Sequence, residues 1–123
     1  MNLLLDTNVI IWMLADSPIS APARSAIETG DRVFVSAASI WEITVKTARG
    51  QLISPSDLPE RLLDLGVYPL GLEWEHARAV GDLPPLHRDP FDRMLIAQAV
   101  VEQLTLVTRD ATIQRYDVPT IAA

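Results

Sequence analysis

Asp6, Glu42, Asp92 and Asp110 lie far apart along the chain, yet each falls where a strand ends or where a helix begins its first turns. Brought together, four carboxylates make an oxygen-lined site of the kind that Mg2+ and Mn2+ prefer. Such a site suits hydrolysis of a phosphodiester by an activated water. Taken singly, each acid has a plainer reading, because Asp is favoured at helix N-caps and acidic groups sit well in first turns. The chemical reading therefore rests on their convergence. It needs no nucleophilic side chain, in keeping with a chain that has no Cys, no G-x-S-x-G elbow and no glycine-rich phosphate loop. The two His, His76 and His87, do not make up a tetrahedral zinc site and are given no catalytic part.

The elements that must position these acids can be read from apolar periodicity and helix signals. Leu3-Leu4-Leu5 reads as a buried strand ending at Asp6, with a helix over Asn8–Ala15. A second helix starts at Ser20 or Ala21, with Pro22 in its first turn, and is closed by a left-handed Gly30. Arg32–Ser36 reads as a strand and Ala37–Arg49 as a helix, capped by Ser36 and stopped at Gly50. A helix near Asp57–Leu65 then leads to a short strand, Val67–Leu70, that Pro69 confines to a sheet edge. Glu73–Val80 is helical, and Pro84-Pro85 makes Gly81–Arg88 a loop. Asp89-Pro90 is the clearest helix start, opening a helix that runs to about Gln103. Leu104–Val107 reads as a strand, Asp110 as the start of a short helix, and Thr120–Ala122 as an edge strand. Alternating strands and helices predict an α/β fold, with a parallel sheet covered on both faces. Ligands bind such sheets beyond the carboxyl ends of the strands, where all four acids are expected.

A chain of 123 residues fits one domain over 1–123, large enough to bury roughly two thirds of its unfolded surface. Hydrophobic residues at 49% against 21% charged exclude a disordered chain, and no apolar run approaches the roughly 18 residues of a membrane span. Met1–Asp6 lacks the basic start of a signal peptide, so a soluble, cytoplasmic protein is expected. A formal charge of −6 argues against broad nonspecific binding to nucleic acid, although a bound cation reverses the sign locally. The same acidity suits a basic protein partner.

The blocks Leu5-Asp6-Thr7-Asn8, Ser39-Ile40-Trp41-Glu42-Ile43, His87-Arg88-Asp89-Pro90-Phe91-Asp92-Arg93-Met94-Leu95-Ile96-Ala97 and Thr108-Arg109-Asp110 together resemble the PIN-domain proteins, and the VapC toxin family in particular. The resemblance covers nearly the whole chain, and Arg88–Ala97 is its most specific part. It implies a PIN-like three-layer α/β/α fold with a central, mainly parallel sheet of four to five strands. It implies a Mg2+- or Mn2+-dependent endoribonuclease with its acidic positions at Asp6, Glu42, Asp92 and Asp110, acting on RNA to inhibit translation. It also implies a homodimer, within a larger toxin–antitoxin complex, neutralised by a cognate antitoxin.

Around those acids, Asn8 stands where many similar sequences carry His and is assigned a supporting role. Asp89 is read as the N-cap, which leaves Asp92 as the ligand, while Asp110 meets the metal directly or through water. Ser36 and Thr108 either hold carboxylates and bridging waters or act as caps. Arg93 steadies a carboxylate, meets phosphate or forms a surface ion pair. Lys46, Arg49 and Arg88 are further candidates for phosphate, the first two sharing a helix with Glu42. Trp12 is read as core, and Trp41 is left between core and RNA stacking. Two rival functions stand beside the nuclease: a non-catalytic PIN-like module that binds RNA or protein, and a phosphatase whose usual Asp-x-Asp is broken here by Asn8.

Overall fold

The N-terminal leucines are buried on both sides, and the two-residue period of a strand splits them between two cores. The computed structural model describes residues 1–123. Its strands are β1 (Asn2–Leu5), β2 (Arg32–Ser36), β3 (Tyr68–Leu70), β4 (Thr105–Thr108) and β5 (Thr120–Ala122). Its helices are α1 (Thr7–Leu14), α2 (Ala21–Thr29), α3 (Ala37–Ala48), α4 (Leu58–Asp64), α5 (Trp74–Val80) and α6 (Pro90–Glu102). The strands pair in the order β3-β2-β1-β4-β5, and every pairing is parallel. β1 is therefore central, and β3, with Pro69, is an edge as its sequence predicted.

Leu3 and Leu5 join one apolar cluster, covered by α1, α2 and α4 through Val9, Ile10, Ala23, Leu58 and Leu62. Leu4 joins the other, covered by α6 through Leu95, Ile96 and Ala99. The result is the expected α/β/α layering. Helix α3 belongs to both layers, placing Ala38 in the second cluster and Ile43 in the first. It thus runs past the sheet edge where β1 and β4 end, and carries Glu42 to their side.

One local expectation is corrected. Gly30 is not left-handed: its φ of −66° and ψ of 154° are ordinary extended backbone. The site excludes a side chain because an added Cβ would lie 2.7 Å from the Ala26 carbonyl oxygen. Asp110 does lead into a short helix, of 3-10 type. Its Oδ1 accepts from the N–H groups of Thr112 (2.7 Å) and Ile113 (3.1 Å), closing a turn that leads into a short 3-10 helix, Ile113–Arg115.

Candidate metal centre

β1 and β4 are paired through Leu5 and Val107, so the residues that follow them emerge side by side. Asp6 is buried, and its Oδ2 accepts from Thr108 Oγ1 at 2.7 Å. Thr108 Oγ1 in turn accepts from the Asp110 N–H at 3.0 Å, which ties the turn after β4 to the end of β1. Although Asp6 occupies the N-cap position of α1, its side chain caps nothing there. The plain reading as a cap is therefore set aside, and the carboxylate remains available to the crevice.

Glu42 sits in the second turn of α3, almost fully buried. Its Oε2 accepts from Lys46 Nζ at 2.6 Å, while Oε1 is buried without any partner. A buried carboxylate oxygen with nothing to bind is costly and calls for a missing donor or cation. Asp89 spends Oδ1 on the Phe91 and Asp92 N–H groups at 2.8 and 3.4 Å, as an N-cap should. Asp92 is thereby left free in the first turn of α6, as the sequence suggested.

His87 is the residue that sequence reasoning set aside. Its Nε2 lies 3.0 Å from Asp92 Oδ2 and 2.9 Å from Asp110 Oδ2, and the three side chains form one cluster of potential metal donors. Its Nδ1 accepts from the Asp89 N–H at 3.1 Å. That bond fixes the neutral tautomer with the proton on Nε2, which donates to Asp110 while Asp92 lies alongside. The only signal in the sequence was its place at the head of the His87–Ala97 block, since no helical or strand period links it to Asp110.

The acids sense one another's charge. Burial raises the Asp6 carboxyl above the usual range against the Thr108 hydrogen bond, and Glu42 and Asp110 add repulsion. Asp92 is pushed up to about 7, first by burial and then by the charges of Asp6, Asp89 and Glu42, with His87 opposing. Burial also works to raise Asp110, but His87 and the N–H groups of Ile113 and Thr112 outweigh it and hold this carboxyl low. At His87 burial lowers the pKa, and the Asp110, Asp92 and Asp89 carboxylates overcome it and raise it. Like charges this close disfavour full ionisation unless a cation joins them. The tight cluster is His87, Asp92 and Asp110, while Asp6 and Glu42 act on it through charge, and the unpartnered Glu42 oxygen fits a hard divalent cation.

Three expected supports do other work. Ser36 holds no carboxylate: it caps α3 through the Ala38 N–H at 3.0 Å and donates to Gln98 Oε1 at 2.5 Å. Arg93 forms neither an ion pair nor an open phosphate contact, because its guanidinium binds the carbonyls of Val80, Leu83 and Pro84 and the Tyr116 hydroxyl. Asn8 is exposed on α1 and takes no part in the bonds that order the carboxylates. Trp12 packs on the first core beneath Arg109, whereas Trp41 is exposed and meets the Phe91 ring edge-on at 5.0 Å.

Comparison with known proteins places this geometry among relatives. The PIN domain family matches residues 3–119. Ribonuclease VapC22 of Mycobacterium tuberculosis is 30% identical over 126 residues, which cover 96% of this chain and 94% of the relative. Among solved structures, VapBC2 from Rickettsia felis bound to a DNA fragment from its promoter superposes with a TM-score of 0.75 at 16% identity, covering 99% of this chain and 98% of the other. FitAcB from Neisseria gonorrhoeae superposes with a TM-score of 0.69 at 22% identity, covering 97% and 96%.

Proposed function

The chain belongs to the PIN-domain family, in its VapC branch, and from that premise we propose that it is the toxin of a type II toxin–antitoxin pair. In this reading it is a single PIN unit over residues 1–123 that hydrolyses RNA phosphodiester bonds with Mg2+ or Mn2+. It inhibits translation in the cytoplasm until a cognate antitoxin neutralises it, and it works as a homodimer. The proposal rests on Asp6, Glu42, Asp92 and Asp110 acting on one another through charge while a buried Glu42 oxygen stays unpartnered.

Each residue then has a task. Thr108 fixes the rotamer of Asp6. His87 keeps the Asp92 and Asp110 oxygens turned toward each other through its Nε2 proton. Glu42 presents its free oxygen from α3, and Asp89 anchors the α6 N-terminus so that Asp92 faces the crevice. Asp6, Glu42, Asp92 and Asp110 would hold a divalent cation, which would supply an acidified water and charge to offset that on the phosphate. Arg93 steadies the loop that carries His87 rather than meeting substrate.

The test is cleavage of total cellular RNA by antitoxin-free protein with Mg2+ or Mn2+, with new 5′ ends mapped against an EDTA control and Asp6→Asn. Discrete ends that vanish in both controls support the nuclease and identify its substrate. Cleavage that persists in Asp6→Asn overturns the role of the acidic site.

A further inference from the structure

Among the acids of the crevice, Glu42 alone is already committed to a fixed cation. Its Oε2 lies 2.6 Å from Lys46 Nζ, one helical turn further along α3, and no other Lys or Arg bonds any of the four acids. The Lys46 side chain is 43% exposed, so its ammonium reaches from the rim of the crevice inward. The charges of Asp89 and Asp92 act on that ammonium together with Glu42. A single ammonium satisfies one carboxylate oxygen, and the other stays buried and empty. A divalent cation brings twice the charge and uses lone pairs that Lys46 leaves idle, but it repels an ammonium held on the same carboxylate. Held on the two oxygens of one carboxylate, the two cations weaken each other's hold on Glu42.

We propose that Lys46 is the resident counter-cation of Glu42 in the free protein, that a divalent cation displaces it, and that the released ammonium then binds a phosphate oxygen of the RNA. One side chain thereby couples metal loading to substrate binding. Lysine suits this exchange because its charge is a compact point on a flexible four-carbon stem. The stem of Lys46 is anchored on a helix while its head is free to leave the crevice. Arg93 cannot take this part, since carbonyls and the Tyr116 hydroxyl hold its guanidinium. Only the phosphate contact rests on the nuclease reading above; the competition for Glu42 does not.

The experiment uses the full chain as wild type, Lys46→Met and Lys46→Arg, with thermal melts to verify folding. Calorimetric titration with Mg2+ alone comes first. Lys46→Met is expected to bind the ion about tenfold more tightly, because one opposing charge is gone, and Lys46→Arg to stay near wild type. Unchanged or weaker binding in Lys46→Met, or equal tightening in Lys46→Arg, overturns the competition. The second measurement is binding of a single-stranded RNA oligonucleotide in Ca2+. Lys46→Met is expected to bind about tenfold more weakly with a salt slope reduced by about 1, and Lys46→Arg to recover binding. Unchanged RNA affinity in Lys46→Met overturns the phosphate contact. If wild type binds Mg2+ but neither binds nor cuts RNA, the nuclease reading fails, while the Mg2+ titration still decides whether Lys46 competes for Glu42.

Discussion

Asp92 bears the strain of the site. Its carboxyl is pushed up to about 7, against about 4 for an ordinary Asp, so the fold favours the protonated form. Without metal, stability from this group is fully present below pH 4 and is lost as the pH rises through 7. Asp92→Asn keeps the shape and removes the charge. Metal-free Asp92→Asn should therefore be more stable than wild type at pH 8 by about 1–2 kcal/mol, after allowance for partial solvation, with no gain at pH 4. Urea denaturation in EDTA at both pH values measures this, and a variant less stable at pH 8 contradicts it. The placement of Asp6, Glu42 and Asp92 at a strand end and in early helical turns was legible, because such ends can be read locally. His87 was not, because its bonds to Asp92 and Asp110 are made through space. Ser36 was legible as the cap of α3 but its bond to Gln98 was not, and Arg93 was misread for the same reason, since Gln98 and the 80–84 loop are remote in sequence.

Elements place these residues, and their ends matter more than their middles. Asp89-Pro90 marked the start of α6 correctly, since capping and the missing proline N–H are local effects. Gly30 shows where local reasoning stops: the residue was legible as a helix end, but its cause is a close approach to the Ala26 carbonyl. Gly30→Ala should thus destabilise by about 1–3 kcal/mol despite an allowed φ, as overpacking does, and equilibrium unfolding will show it. A neutral effect would mean that the end of α2 shifts freely. Arg93 clamps the loop before α6 through several carbonyls. Arg93→Lys, which keeps the charge and loses the fork, should expose residues 81–88 to proteolysis and lower activity, while the salt dependence of RNA binding stays unchanged. A flatter salt slope in that variant would return Arg93 to the phosphate.

At the scale of the whole molecule, parallel order and two-sided burial were legible because Leu3-Leu4-Leu5 cannot face water on either side. The strand order was not, because nothing in β1 says which neighbours it takes. That order sets the ends of β1 and β4 side by side and so brings Asp6 to Thr108. No helix is long and apolar enough to cross a membrane. With a net charge of −6, the proposed reading requires a cation to bind the acids before RNA does. Anomalous diffraction from crystals grown with Mn2+ tests that order most directly. A manganese peak is expected against the Asp6 and Asp92 carboxylates, with Lys46 turned away from Glu42. A fully ordered crevice without manganese, or a peak held elsewhere on the protein, would contradict it.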